Sequence, residues 1–191
     1  TGSSWMIEWV FVSMLAYSFP SYFDAEQELN AAVIIDKAHD IREDPYFMVS
    51  LSWVESRLKT GRVSKTGDYG LFQINYNFWG KKWGYKDRNK FLVDMSSANH
   101  ATVAAGVVLQ EMRRYKQCQG LNLPACYNGG PAWQKSKNIE KIISYANKVN
   151  RMRGNIKLTQ ENALMIQMYQ ESMNESLNCL SRDHKIVLDE Q

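Results

Sequence analysis

Apolar positions recur at helical spacing along most of the chain. Residues 28–43 place Leu29, Ala32, Val33, Ile35, Ala38 and Ile41 mostly on one face, which predicts an amphipathic helix. Asp44-Pro45 reads as an N-cap followed by Pro at the first helical position. The helix it opens, PYFMVSLSWVES, sets Phe47, Leu51 and Glu55 at i, i+4 and i+8. Glu55 therefore prolongs an apolar stripe at a helix end. Residues 59–70 contain Gly61, Gly67 and Gly70 and read as a loop or short hairpin. Residues 94–116 carry the longest helical pattern, with an Ala/Val-rich face from Ala98 through Ala105 and Val108 to Met112. That pattern suits a buried central helix. Residues 118–131 break it with Gly120, Pro124, Gly129, Gly130 and Pro131. A further helix covers residues 137–152, with Gly154 expected to end it. Thr159 is expected to cap a last amphipathic helix reaching Leu180, and the final ten residues to form a frayed tail or short docking segment. No repeat, low-complexity segment or clear linker interrupts the chain. The architecture this predicts is all-α with an irregular lobe near residues 57–90.

One apolar run stands apart. Residues 9–19, WVFVSMLAYSF, are too few to span a bilayer, which takes about 20 apolar residues. No basic stretch precedes them and Glu8 does, so they make a poor signal peptide. A core or docking helix is the expectation.

Composition changes this picture little, and charge changes it more. The 191 residues are 45% apolar and 23% charged, which excludes disordered and collagen-like classes. The net charge of +3 hides an uneven distribution. Residues 1–55 hold nine acids against two bases, residues 56–90 nine bases against two acids, and residues 135–157 seven bases against one acid. Such blocks are either solvated helix faces or a cleft for an anionic polymer. Nucleic acid is not expected, since no zinc-finger spacing, RNP-like aromatic run or basic heptad region accompanies them. Cys118 and Cys126 could close a short loop in an oxidising compartment, leaving Cys179 free.

The chemistry centres on Glu55. A carboxylate on an apolar helix face is costly to ionise, so desolvation should raise its pKa and suit it to general acid work near neutral pH. The plainer alternative is a helix-end Glu paired with Arg57 or Lys59. Downstream, Tyr69, Phe72, Tyr76, Phe78, Trp79, Trp83 and Tyr85 interleave with Gln73, Asn75 and Asn77. They suit either a carbohydrate groove or the tight core of a small lobe. The histidines, His39, His100 and His184, are scattered and lack metal-ligand spacing, so no metal site is expected. The stretch GRVSKTGD has its Lys65-Thr66 before the second Gly, which rules out a phosphate loop. No local signature of a thiol protease joins the Cys, His and Asn residues.

Three motifs taken in order resemble the lytic transglycosylase branch of the lysozyme superfamily, over about residues 30–153. They are Glu55-Ser56 at a helix end, Gly70-Leu71-Phe72-Gln73-Ile74-Asn75, and Cys126-Tyr127-Asn128-Gly129-Gly130-Pro131. Phe72 and Cys126 depart from the family's usual Met and Ala. The resemblance implies a mainly α, lysozyme-like (goose-type lysozyme/SLT) helical domain with a small irregular or short β lobe. It implies an N-terminal extension over residues 1–27 packing on the core, a catalytic domain over 28–157 and a C-terminal helical extension over 158–191. It implies cleavage of the β-1,4 bond between N-acetylmuramic acid and N-acetylglucosamine in peptidoglycan, giving 1,6-anhydro ends. Glu55 matches the catalytic acid/base. Ser64 matches the serine near the acetamido group of the reacting sugar. Gln73, Asn75, Tyr127 and Asn128 fall in the substrate-binding blocks. No cofactor is required.

Asp68 leaves a question open. The string from Asp68 to Asn75 also resembles the block of animal-type lysozymes around their second carboxylate, which would make the reaction a hydrolysis. The alternative is a loop residue that caps backbone N–H groups or pairs with a Lys. Cleavage of the peptide stem and non-catalytic binding of the wall remain further alternatives. The expected partner is the peptidoglycan glycan strand, outside the cytoplasm. A phage lysin, free or in the virion, and a bacterial secretion machine both fit that setting, and the former is preferred.

Overall fold

A computed structural model of the protein describes residues 24–189, and the apolar run 9–19 lies outside them. Helix α1, Ala25–Asp40, opens on a reciprocal capping box between Asp24 and Gln27. Its buried face is Gln27, Asn30, Ala31, Ile34, Ile35 and Ala38, while Leu29 is 58% exposed. The face is thus turned from the one its apolar residues predict. Polar contacts explain the turn. Gln27 Nε2 donates to the Arg57 carbonyl and Asn30 Nδ2 to the Leu58 carbonyl, each at 2.8 Å. Arg57 and Leu58 both have positive φ, 60° and 56°, so the chain there bends out of helical pairing and its carbonyls need other donors.

Helix α2, Pro45–Ser56, begins as the sequence predicts. The Asp44 side chain accepts from the backbone N–H of Tyr46 and of Phe47. Phe47, Met48, Val49 and Leu51 are buried in the core. The following lobe is small. Strands β1, Asp68–Tyr69, and β2, Ile74–Asn75, pair antiparallel, and Val63 bridges to Tyr69. A π-helical turn, Tyr76–Gly80, follows.

The long helix expected over 94–116 is two helices, α3 at Arg88–Ser96 and α4 at Ala98–Met112. Ser97 between them is extended, with φ −76° and ψ 122°. The cause is a diverted hydrogen bond: the Met95 carbonyl accepts from the Leu71 N–H at 3.1 Å. Gly70 makes this approach possible. A Cβ on Gly70 would lie 1.9 Å from the Met95 carbonyl oxygen, and its φ is +74°. Helix α4 is central, burying Ala101, Thr102, Ala105, Gly106, Val108, Leu109 and Met112.

Residues 118–131 are not simply a break, since α5, Leu123–Gly129, lies within them. Pro124 is tolerated because it sits in the first turn. A disulfide joins Cys118 to Cys126. Helix α6, Ile139–Asp189, then runs without interruption through Gly154. Neither the expected stop at Gly154 nor a separate last helix with a frayed tail forms. Glycine in a helix costs only about 1 kcal/mol. Ile156, fully buried just beyond, offsets that cost. Thr159 caps nothing, and its hydroxyl donates to the Asn155 carbonyl one turn back. Arg153 bonds the Asp44 carboxylate, tying α6 to the start of α2.

Candidate active site

The loop from Leu71 to Gln73 is held on both sides. Ser52 and Ser56 of α2 both donate to the Leu71 carbonyl, at 3.0 and 2.8 Å. From α5, the Tyr127 hydroxyl donates to the Phe72 carbonyl at 2.8 Å. The Ser that follows Glu55 is therefore a buried tether, a role not evident from its sequence position. Gln73 has φ 48°, strained for a residue with a side chain, and its Nε2 donates to the carbonyls of Gly70 and Arg62. Its Oε1 has no hydrogen-bond partner among the described residues.

These elements enclose a cleft of about 620 Å³. Glu55, Ser64, Asp68, Gln73, Asn75, Tyr127 and Asn128 all line it, so the structure brings these seven candidate site residues to one place. Val108, Met112 and the Cys126 end of the disulfide supply apolar wall. Asn128 is exposed in the cleft, and its side chain has no hydrogen-bond partner among the described residues.

Glu55 is not paired with Arg57 or Lys59. Arg57 lies over the Trp53 ring at 4.9 Å, and Lys59 bonds Asp24 and Glu26. The partner of Glu55 is Tyr145 of α6, whose hydroxyl donates to the carboxyl oxygen Oε1 at 2.5 Å. Burial lifts the Glu55 pKa from 4.5 to about 8. The Tyr145 hydrogen bond opposes that rise, and the negative charge of Asp68 adds to it. Burial and the Glu55 charge together hold the Tyr145 phenol well above its usual range, so it remains a donor. Tyr127 is likewise held neutral by burial and by the charges of Glu55 and Asp68. The sequence reading missed Tyr145. The signal was its place beside Ile142, Ala146 and Val149, the buried stripe of α6.

Asp68 faces the opposite situation. Burial pushes its pKa up, but hydrogen bonds from Ser64, Thr66 and Asn75 outweigh this and hold it below the usual value. Ser64 Oγ and Thr66 Oγ1 each donate to Oδ2 at 2.6 Å, and Asn75 Nδ2 donates to Oδ1 at 2.8 Å. It neither caps a backbone N–H nor pairs with a Lys. Ser64 is engaged too, since its oxygen also accepts from the backbone N–H of Asp68 and Thr66. The aromatic block divides between the two uses foreseen for it. Tyr69, Tyr76 and Tyr85 pack around Phe91 as the lobe core, while Phe78 and Trp79 line the cleft.

A mainly helical domain with a two-stranded lobe and an acidic cleft between them is the lysozyme-like architecture. The family description Transglycosylase SLT domain matches residues 32–150, more than half of the chain, and the chain belongs to that family. It is accordingly a lytic transglycosylase, an enzyme that degrades peptidoglycan, whose substrate lies outside the cytoplasm. No curated protein and no solved structure matches it. Among the described residues, no helix is long and apolar enough to cross a membrane.

Proposed function

We propose that Glu55 is the single acid/base of this enzyme and that its products carry 1,6-anhydro-N-acetylmuramic ends. The observation that carries this is a carboxyl whose pKa is lifted to about 8 and whose hydrogen-bond partner is a neutral phenol. At neutral pH Glu55 holds its proton and can deliver it to the glycosidic oxygen. The bond from that oxygen to the muramic C1 breaks, and an oxocarbenium-like centre develops. The substrate's own acetamido group stabilises this centre. Glu55, now ionised and accepting from Tyr145, takes the proton of the muramic C6 hydroxyl. That oxygen closes on C1, which restores the acid without consuming water. An intramolecular nucleophile carries the proximity advantage with it. Gln73 Oε1 and the Asn128 amide are the groups free to bind hydroxyl and acetamido groups of the strand.

A two-carboxylate hydrolysis is the second reading, and one observation favours it: Asp68 lines the same cleft and its charge acts on Glu55. Against it, both Asp68 oxygens are taken by three donors. A nucleophile would have to shed them, so we assign Asp68 to organising Ser64, Thr66 and Asn75. Mass spectrometry of released muropeptides tests both readings. Anhydro ends from wild type and from Asp68→Asn support the single-Glu reaction, and reducing ends refute it. Loss of all products in Glu55→Gln is expected.

We also infer the domain division given above, with residues 28–157 as the catalytic unit flanked by extensions. Local wall opening by a phage lysin or a secretion machine is the setting we propose, with the extensions as the segments that meet a virion or secretion partner.

A further inference from the structure

The two basic blocks of the sequence, residues 56–90 and 135–157, meet where the end of α2 packs on α6. Several of their cations are taken by acids: Lys59 bonds Asp24, Lys82 Glu111, Lys90 Asp94 and Arg153 Asp44. Arg57, Lys148 and Arg151 have no ion-pair partner among the described residues. All three line one pocket of about 300 Å³, and no acid lines it. Trp53 lines it too, and the Arg57 guanidinium lies over that indole at 4.9 Å. The Arg57 backbone is fixed as well, with φ 60° and its carbonyl accepting from Gln27. Its planar fork is therefore in place before a ligand arrives.

A second depression, of about 430 Å³, continues from the first, since Lys148 and Arg151 line both. Together they follow α6 from Asn155 back to Glu140, about 22 Å of helix. Glu140, at the far end, is the one acid along them. None of these residues lines the Glu55 cleft. Trp53 stands two positions before Glu55, about 200° round α2, so groove and cleft lie on different faces of that helix.

We propose that this groove holds the phosphodiester chain of an anionic wall polymer of the poly(glycerol phosphate) kind, which keeps the enzyme on the wall while Glu55 cuts. Arg57 and Arg151 present forks matched to phosphate oxygens, and Lys148 adds a point charge. A track of about 22 Å exceeds one phosphate group and suits a polymer charged at each repeat. A bilayer fits the groove poorly, because Ile143 is the one exposed large apolar side chain along it. A nucleic-acid single strand fits poorly too. The Trp53 ring is 8% exposed and lies under Arg57, so it offers bases no platform. Attachment at a second point raises the effective concentration of the cleft at its substrate.

The test uses the full chain and soluble poly(glycerol phosphate), with binding measured by calorimetry at about 50 mM and about 200 mM salt. Three contacts to a flexible polyanion give a log–log salt slope of about −2, so Kd should rise by about tenfold to twentyfold over this range. Lys148→Gln/Arg151→Gln should raise Kd by about tenfold at the lower salt and flatten the slope to about −0.7. Lys135→Gln/Lys137→Gln removes the same charge from the same basic block outside the groove, and should leave Kd within about twofold. Thermal unfolding of both variants should match the parent, since all four side chains are exposed. On walls that carry the polymer, the loss in Lys148→Gln/Arg151→Gln should fall on KM more than on kcat. No binding by the parent at the lower salt overturns the proposal. So does a Kd that Lys148→Gln/Arg151→Gln leaves within about twofold, or that Lys135→Gln/Lys137→Gln moves equally. Tighter binding to phosphatidylglycerol vesicles than to the polymer, at equal phosphate, assigns the groove to a membrane and overturns the polymer.

Discussion

Glu55→Gln is expected to abolish activity and, at neutral pH, to make the protein more stable. The sign follows from linkage. The Glu55 pKa is 4.5 as a free side chain and about 8 in the folded protein. Below pH 4.5 both states hold the proton, and Glu55 carries no pH-dependent penalty. Between the two values the unfolded chain releases the proton while the folded protein retains it. Folding then requires proton uptake, and stability falls as pH rises. Above about 8 the penalty is complete. Each pH unit inside the window is worth about 1.36 kcal/mol, so between pH 5 and pH 7 wild type loses about 2 to 3 kcal/mol relative to a residue that does not titrate. Glutamine is such a residue. Its amide oxygen can still accept from the Tyr145 hydroxyl, so that phenol keeps its acceptor.

Urea unfolding of both proteins at pH 5 and at pH 7 measures the effect. The stability difference, Glu55→Gln minus wild type, should grow by about 2 to 3 kcal/mol between the two pH values, with m unchanged. Other titrating groups cancel because they are common to both proteins. If the two stabilities stay parallel over this interval, Glu55 is not held protonated by the fold, and the assignment of a ready general acid fails.

Three more expectations follow from named contacts. Tyr145→Phe removes the one hydrogen bond that lowers the Glu55 pKa. Turnover should drop by about tenfold to a hundredfold, with the alkaline limb of the pH–rate profile moving up. An unmoved limb would deny Tyr145 any influence on the carboxyl. Gly154→Ala should stabilise by about 1 kcal/mol in thermal or urea unfolding, because Gly154 is helical with open space around its Cα. Destabilisation there would mean that the helix does end at Gly154 after all. Reducing the Cys118–Cys126 disulfide, which spans eight residues, should cost about 2 to 3 kcal/mol by denaturation with and without reductant. An unchanged midpoint would show that α5 does not depend on it.

What could be read from the sequence was local. Asp44-Pro45 announced α2, and the spacing of Phe47, Leu51 and Glu55 placed the carboxyl at its end. What could not be read depends on distant backbone. No periodicity in 94–116 reveals that Leu71 will take the Met95 carbonyl and break the helix at Ser97. No hydropathy marks Gln27 and Asn30 as buried, because their amides serve carbonyls about thirty residues away. Tyr145 lies 90 residues from Glu55 and reads as one more aromatic on a buried stripe.

These departures share a destination. The α1 amides hold the bend directly after Glu55, and the α2 serines hold the Leu71 carbonyl. The gap between α3 and α4 receives the Leu71 N–H, while Tyr127 holds the Phe72 carbonyl. Each takes a backbone group out of regular pairing in the segments that flank Glu55 and Gln73, two residues lining the cleft. A regular helix needs none of them, and they join the buried core under the lobe to the two segments that carry Glu55 and Gln73. That also explains why Gly154, which breaks a local rule with no distant partner waiting, leaves its helix intact.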